Sequence, residues 1–271
     1  MSQSPVTFFV TPNPAPLTLD GTRCYAVGRR RLVLVDPGPS IPGQIDRLET
    51  LVADRPVEAI CLTHAHGDHA GVAERAAEHF STPVAGSAET LALHGLSGRV
   101  LQSGASLAVD GGESTLLAIP TPGHSADHMA YVLEPGRAVF TGDLVLGAGS
   151  SAILHPDGEV GACLASFSRV LSLRPGCLYP GHGPPIDDGE ARLKAYRDHR
   201  IERHAQVAGA VQSGARSVGE LRELVYGSLD GSLERAAEAS IRAHIVYMRE
   251  QGHEFPSIAG LDDVTVLPEE A

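Results

Sequence analysis

Three histidines and one aspartate lie within the six residues that run from His64 to His69, directly after an apolar segment that we predict to be a buried strand. Imidazole nitrogens and carboxylate oxygens are, besides thiolates, the ligands that zinc accepts in proteins. Residues two apart in a tight loop can face the same way, so His64 and His66 can bind one metal ion, while Asp68 and His69 turn to a second. Gly67 lets the loop bend. This spacing favours a metal site over a polar surface turn.

Three further segments repeat the order of strand, glycine-containing turn and candidate ligand. They end at His124 (after Thr121-Pro122-Gly123), at Asp143 (after Thr141-Gly142) and at His182 (after Tyr179-Pro180-Gly181). Each segment alone is a weak signal, because a single histidine in a turn is more often structural. Loops at the strand ends on one edge of a sheet converge in space, so together the segments predict one shared site.

The composition limits the classes of function. A net charge of −12 argues against a general electrostatic grip on nucleic acid, which needs basic surface. The apolar runs are too short for a membrane span, and residues 1–10 lack the basic and apolar regions of a secretory signal. The four cysteines show no CxxC spacing, so we expect free thiols in a reducing compartment. These features favour a cytoplasmic protein without a membrane partner.

The periodicity of apolar residues predicts an α/β layered domain with its chemistry on loops at strand ends. The predicted strands are Val6–Val10, Cys24–Val27, Leu32–Val35, Val57–Leu62, Pro83–Ala85, Thr115–Ile119, Tyr131–Leu133, Ala138–Phe140 and Cys177–Tyr179. The predicted helices are Gln44–Ala53, Gly71–Phe80, Glu159–Leu173, Gly189–Gln212, Ser217–Tyr226 and Ser232–Gln251.

The pattern changes after about Tyr196, where glycine, proline and strand signals become rare. Ser217 followed by Glu220 forms a capping-box signature, which predicts a helix start. We therefore predict a catalytic domain over residues 1–195, a compact helical domain over residues 196–260 and an acidic tail over residues 261–271.

On these motifs the chain resembles the metallo-β-lactamase superfamily. The resemblance implies an αββα sandwich and two zinc ions, although iron or manganese stays open. It implies that one ion is bound by His64, His66 and His124, the other by Asp68, His69 and His182, and that Asp143 bridges both. It also implies that Asp36 orients the histidine loop; an ordinary strand-ending turn is the alternative for Asp36.

A closer resemblance is to the beta-lactamase-like protein 2 group, carried by the segments 121–129, 141–147 and 179–184 and by Tyr196, His199, Arg200 and Arg203. In that group the C-terminal helices form a small winged-helix-like domain over the mouth of the active site. In this chain the C-terminal segment is nearly balanced in charge, which argues against a nucleic-acid role.

Other residues are weaker candidates. We expect a structural role for His128, because the ligand positions are already filled, and a pocket or a surface position for His155. His199 and His204 lie on the long predicted helix and are expected to be solvated or interdomain. Ser150 and Ser151 lack the Gly-x-Ser-x-Gly elbow of a serine hydrolase, which excludes that class.

The predicted mechanism is hydrolysis by a hydroxide that the two metal ions generate near neutral pH, with Asp68 passing on a proton. The first hypothesis for the substrate is a small-molecule ester or thioester, which the acidic chain favours. The second, implied by the closer resemblance, is single-stranded RNA; hydrolysis of β-lactams ranks below both. The third hypothesis is a non-catalytic DNA-binding regulator, which would have no need of all these ligands. The oligomeric state is left open.

Overall fold

Two β-sheets lie face to face in the computed structural model, which describes residues 5–263, without the side chain at position 232. The first sheet has the spatial order β1 (Val6–Val10), β2 (Arg23–Val27), β3 (Leu32–Val35), β4 (Val57–Cys61), β5 (Val84–Gly86) and β6 (Arg99–Val100). The second has the order β11 (Leu178–Pro180), β10 (Ala138–Gly142), β9 (Met129–Glu134), β8 (Ser114–Pro120) and β7 (Ser106–Val109). Strands β3 to β6 are parallel, as are β10 and β11, whereas β7 to β10 form an antiparallel meander.

Helices cover the outer face of each sheet. The helices of the described chain are α1 (Gln44–Val52), α2 (Gly67–Ala70), α3 (Ala73–Phe80), α4 (Ala88–Leu93), α5 (Val160–Ser172), α6 (Gly189–Gln212), α7 (Val218–Tyr226) and α8 (Gly231–Glu250). Helices α1 and α3 pack on the first sheet, and α5 and the start of α6 pack on the second. The predicted αββα sandwich is therefore confirmed.

Strand β3 shows why some strands of these sheets consist entirely of apolar residues. Successive side chains of a strand point to opposite faces, and here both faces are covered. Val33 and Val35 face the second sheet, in the core between the sheets, whereas Leu32 and Leu34 face the helices α1 and α3. All four side chains are buried, so the strand has no polar face that would expose it to water.

Helix α6 connects the sandwich to the C-terminal helices without a break. Its first half contributes Leu193 and Tyr196 to the core under the second sheet, and its second half contributes Val207 and Val211 to a core with α7 and α8. The predicted domain boundary at residue 196 thus falls inside one continuous helix. Helices α7 and α8 occur where they are predicted, and Ser217 caps α7 by accepting a hydrogen bond from the backbone N–H of Glu220.

The winged-helix-like character of the C-terminal unit stays a prediction. Between Gly189 and residue 263, the described chain has helices and one isolated parallel bridge, which joins Ser217 to Ala259. Of the predicted tail, residues 264–271 lie outside the described residues. None of the helices in the described range combines the length and the apolar character that crossing a bilayer requires.

Four elements were not predicted, because their signals are short or mixed: β6, β7, α4 and the four-residue helix α2. Strand β6 has two residues, and β7 alternates exposed and buried side chains within four. Helix α4 is six residues long and begins at a serine cap. The helix predicted over Gly71–Phe80 is wrong in its start, because α2 ends at Ala70 and α3 begins only at Ala73.

Candidate metal centre

Every candidate ligand lies in a segment that follows the carboxyl end of a strand. The segment after β4 carries the four candidate ligands between His64 and His69, the last two of them in α2, and the loops after β8, β10 and β11 carry His124, Asp143 and His182. The loop after β3 begins with Asp36. The two facing sheets bring these loops to one edge of the sandwich, so residues far apart in sequence meet there.

The first group of converging side chains contains His64, His66 and His124. Nε2 of His64 lies 3.0 Å from Nδ1 of His66, and Nε2 of His124 lies 3.1 Å from the same Nδ1 atom. The potential ligand atoms of the three residues all lie within 4.8 Å of one another. Three imidazoles that aim one nitrogen each at a common point match the donor set of a metal ion.

The second group contains Asp68, His69 and His182. Oδ2 of Asp68 lies 3.1 Å from Nε2 of His182, and the Nε2 atoms of His69 and His182 are 3.3 Å apart. Asp143 lies between the two groups: its Oδ2 is 3.3 Å from Nε2 of His182 and 3.7 Å from Nε2 of His124. The structure thus brings all seven sequence-predicted ligands together, and a third, overlapping group of His64, His69 and Asp143 connects the two groups.

The five imidazoles share a tautomeric arrangement that suits metal binding. We assign one ring N–H of each as a donor to an oxygen outside the cluster, which leaves the lone pair of the other nitrogen pointing inward. The acceptors are Thr63 Oγ1 for His64 (2.9 Å), Asp157 Oδ2 for His66 (3.3 Å), Asp36 Oδ2 for His69 (2.9 Å), the Ala152 carbonyl for His124 (2.9 Å) and the Gly21 carbonyl for His182 (3.2 Å). Neutral imidazoles held in this way are ready to donate to a cation.

The electrostatics of the cluster favour positive charge at its centre. Burial lowers the pKa of the His69 imidazole, but the carboxylates of Asp68 and Asp143 outweigh burial and raise that pKa to about 9. Burial raises the pKa of Asp68, but the imidazoles of His69 and His182 outweigh it and lower that pKa to about 2. Burial, and after it the neighbouring imidazole of His69, lower the pKa of His64 well below the usual value.

The residues present fit a pair of metal ions. Oδ1 of Asp143 is buried and accepts no hydrogen bond from any residue in the described range, although it lies 3.5 Å from Nε2 of His69. An unsatisfied buried carboxylate oxygen is costly unless a cation neutralises it. The inward lone pairs of the histidine nitrogens also repel one another unless a cation or a proton lies between them. A divalent metal in each set would satisfy both requirements.

Gly181 packs directly against this cluster, and a side chain there would disturb it. A Cβ atom at this position would lie 2.5 Å from Oδ1 of Asp143 and 2.5 Å from Cε1 of His69. We expect Gly181→Ala to displace both ligands and to lower kcat/KM by about a hundredfold, because small misplacements in a reacting site are that costly. Kinetics with the substrate proposed below, and metal analysis of the purified variant, measure the effect.

Gly209→Ala is the control for this substitution. Gly209 lies inside α6 and has no atom within 4 Å of an added Cβ, so alanine should stabilise the helix by roughly 0.5–1 kcal/mol and leave activity unchanged. Full activity and full metal content in Gly181→Ala would show that the cluster tolerates the methyl group.

Asp36 accepts hydrogen bonds from the segment that carries the histidine ligands. Its Oδ1 accepts a hydrogen bond from the backbone N–H of Thr63 at 2.8 Å, and its Oδ2 accepts from Thr63 Oγ1 at 2.8 Å and from Nδ1 of His69. Asp36 has a positive φ of 52°, a conformation that aspartate and asparagine tolerate better than other side chains. The orienting role that the resemblance implies for Asp36 therefore has a structural basis.

Asp36→Asn keeps the size and the backbone preference but replaces one acceptor oxygen with an amide that cannot accept the N–H of His69. We expect metal affinity to fall about 10–100-fold, as is usual for contacts that orient a ligand. Competition with a chromophoric chelator measures the affinity. Asp110→Asn is the matched control, since Asp110 also has a positive φ (55°) and its carboxylate accepts the backbone N–H groups of residues 29–31 and no imidazole N–H. Equal affinities in both variants would contradict this role for Asp36.

Of the weaker candidates, His128, His204 and Ser151 have structural partners. His128 lies beneath the cluster, where its Nε2 accepts the backbone N–H of Asp143 at 3.1 Å and its Nδ1 lies 2.9 Å from Thr121 Oγ1. His204 lies 3.3 Å from His244 in the C-terminal helices. The hydroxyl of Ser151 donates to the backbone carbonyl of Asp143, so it holds the site and does not act as a nucleophile. His155 and His199 are half-buried and lie outside the cluster.

A cavity of about 310 Å³ opens above the candidate ligands. Asp68, Asp143 and three of the histidines line its floor, and its walls are mainly apolar, from Pro16, Leu17, Leu19, Leu146 and Leu154. Sequence reasoning missed the loop at 16–19, the acceptor Asp157 and the cavity residue Arg235. The first carries no chemistry-bearing side chain, and the other two acquire their roles only through contacts made in the folded chain.

Comparison with known families agrees with this geometry. A family model described as "Metallo-beta-lactamase superfamily" matches residues 17–182, the segment that contains all seven converging side chains. The chain belongs to the metallo-β-lactamase superfamily. As a member, it is an enzyme of the metallo-β-lactamase hydrolase type, so the predicted superfamily and the predicted enzyme class are both confirmed.

Individual relatives refine the likeness. An "Atrochrysone carboxyl ACP thioesterase" of Aspergillus chevalieri is 34% identical over 247 residues, which cover 83% of this chain and 74% of the relative. A "Beta-lactamase-like protein 2 homolog" of Caenorhabditis elegans is 32% identical over 212 residues, which cover 74% and 69% of the two chains. The latter confirms the closer resemblance seen in the sequence.

The superfamily fold extends over nearly the whole chain. The crystal structure of a metallo-β-lactamase family protein from Thermus thermophilus superposes with a TM-score of 0.75 at 24% identity, covering 92% of this chain and 94% of that chain. At this identity the likeness concerns the fold, and it includes the helical C-terminal region in the aligned part.

Proposed function

We propose that this metallo-β-lactamase superfamily member is a thioesterase that depends on two metal ions, zinc in the first instance. The observation that carries the proposal is the convergence of two ligand sets, joined by Asp143, on the floor of a cavity with apolar walls. An acyl chain fits such walls, and the relative named as an acyl-carrier-protein thioesterase supports this substrate class. A carboxylic ester is the nearest alternative substrate.

In this proposal His64, His66 and His124 would hold one metal ion, Asp68, His69 and His182 would hold the other, and Asp143 would serve both. When bound, a pair of divalent ions supplies Lewis acidity and makes water nucleophilic near neutral pH. The donor chemistry fits zinc; iron and manganese bind similar ligands, so metal analysis decides the identity.

The chain's own residues orient the reaction and move the proton. Asp36, Asp157 and the carbonyls of Ala152 and Gly21 fix the imidazoles, so the ligands need no rearrangement during turnover. Asp68 lines the cavity, and its Oδ2 faces His182, while within the described chain no donor bonds to its Oδ1. We propose that Oδ1 accepts the proton of the attacking water and passes it to the leaving thiolate.

The proposed reaction needs no acyl-enzyme. Ser151, a serine of the cavity wall, donates its proton to the backbone carbonyl of Asp143 and has no base to activate it, since Nδ1 of His124 is itself a donor. Stopped-flow experiments with the thioester in excess over the enzyme should therefore show no burst of free thiol in the first turnover.

A substrate panel tests the proposed function. The purified protein is assayed with acyl-pantetheine thioesters, p-nitrophenyl esters and a labelled single-stranded RNA, before and after removal of metal with a chelator. We expect thioester turnover that is lost with the metal and returns with added zinc. RNA cleavage without thioester turnover would instead favour the endonuclease hypothesis, and salt-sensitive binding of duplex DNA that survives metal removal would favour the regulator hypothesis.

We also propose that the C-terminal helices form a separate unit that covers the mouth of the site. The boundary of this unit near residue 196 rests on the change in the sequence pattern there. Two contacts support this arrangement. The buried Arg200 of α6 donates from Nη2 to the carbonyl of Ser151 at 2.6 Å, and Arg235 of α8 lines the cavity. One residue of the cavity lining, Arg235, therefore comes from the C-terminal helices.

A further inference from the structure

Arg235 differs from the other residues that line the active-site cavity. The carboxylates of Asp68 and Asp143 belong to the ligand cluster on the floor, and most other lining side chains are apolar or small. Among the described residues that line this cavity, Arg235 is the one arginine, and no lysine is present. It is exposed, so it lies at the edge where the cavity opens to solvent.

The packing of α8 places Arg235 on the cavity side of that helix. Ala239, one turn further along, is buried, and its carbonyl accepts a hydrogen bond from the backbone N–H of His155 at 3.4 Å. Residues four apart lie on the same face of a helix, so Arg235 shares the face that contacts the active-site loop. The neighbouring loop residues Ser150 to Ala152 line the same cavity.

The guanidinium of Arg235 has no ion pair or hydrogen bond with any residue whose side chain the structure describes. Other arginines of the C-terminal helices have such partners: Arg200 donates to the Ser151 carbonyl, Arg203 to the Val225 carbonyl, and Arg222 to Glu234. On a protein with a net charge of −12, a free guanidinium beside a cavity is a local site for an anion that the overall charge otherwise repels.

We propose that Arg235 determines substrate specificity by binding an anionic group, a phosphate or a carboxylate, on the part of the thioester that stays at the cavity mouth. This inference rests on the proposed thioesterase function. A guanidinium binds either oxyanion through two parallel N–H donors, and it gains more affinity at a partly desolvated rim than in open solvent. The substrate would then have three parts: an apolar segment along the walls, the scissile thioester on the floor and the anion at Arg235.

Three substrates separate the two possible sources of the anion. An acyl-coenzyme A carries phosphates on the thiol side, and the corresponding acyl-pantetheine has the same thiol arm without the terminal phosphates. A dicarboxylic monothioester of pantetheine carries a carboxylate on the acyl side. The wild-type protein is compared with Arg235→Gln, with Arg235→Lys and with the control Arg249→Gln, which removes an equal charge from the same helix outside the cavity.

We expect Arg235→Gln to raise KM about tenfold for one of the two anionic substrates, with kcat within about twofold and with unchanged kinetics on the neutral acyl-pantetheine. The affected substrate identifies the anion as a phosphate or a carboxylate. Arg235→Lys should recover part of the loss, added salt should reduce the wild-type preference, and Arg249→Gln should leave all three substrates unchanged.

Two other outcomes are distinguishable. If the wild-type protein hydrolyses all three thioesters and Arg235→Gln changes KM equally for all or for none, the anionic subsite is wrong and the thioesterase function stands. If the wild-type protein hydrolyses none of them, the proposed function itself is wrong, and the subsite fails with it.

Discussion

Asp143→Asn should lower kcat/KM by about a thousandfold or more, because it removes the one carboxylate that both ligand sets share. Its two oxygens lie 3.3 to 3.7 Å from nitrogens of three histidines, and asparagine can offer only one neutral oxygen there. We expect the metal content to fall from two ions to one or fewer. The fold should persist, since the backbone N–H of residue 143 still donates to His128.

The control for Asp143→Asn is again Asp110→Asn. The two aspartates are almost equally buried, with 7% and 8% of their surface exposed, but Asp110 accepts only backbone N–H groups. We expect Asp110→Asn to lower the thermal midpoint and to keep two metals, and Asp143→Asn to lose metal with little change in circular dichroism. Two metals and near-normal turnover in Asp143→Asn would exclude the bridging role.

His66→Ala should abolish most activity and remove one metal ion while the protein stays folded. His66 contributes Nδ1 to the first ligand set, yet 42% of its side chain is exposed, so its loss leaves no buried cavity. Contacts that only orient a ligand typically cost about 10–100-fold when removed, so loss of the ligand itself should cost at least about a hundredfold in kcat/KM. The second set, which contains Asp68, His69 and His182, should retain its ion.

His79→Ala is a close control for His66→Ala. His79 lies on α3, is 38% exposed and pairs with one carboxylate, that of Glu49, just as His66 pairs with Asp157. It should behave as wild type in turnover and metal content. If both variants lost activity equally, a general effect of removing surface histidines would explain the result, and His66 would not be a ligand.

The candidate ligands could be predicted because their signals are local. The run that contains His64 and His66 is a strong signal by itself. His124, Asp143 and His182 are weak signals singly and were predicted because their segments share the order of strand, turn and ligand. The fold was predictable to the level of its layers because its signals are local as well. Strands such as β3 are apolar throughout, which indicates a sheet covered on both faces.

Features made by contacts between distant segments could not be read in advance. Asp157 is 91 residues from His66, yet its carboxylate accepts the outward N–H of that imidazole. Arg235 faces the cavity only because α8 packs on the loop that contains His155. The length of α6 was predicted from the sequence. That its first half packs in the core of the sandwich and its second half in the core of the C-terminal helices depends on contacts with distant segments.

Anomalous diffraction from crystals of the protein, combined with elemental analysis of the same sample, tests the central claim most directly. We predict two metal ions per chain, seen as two peaks within about 2.0–2.3 Å of the inward atoms of the histidines and aspartates described above. Peaks elsewhere, or imidazoles of His64, His69 and His182 that point to separate places around no metal, would contradict it.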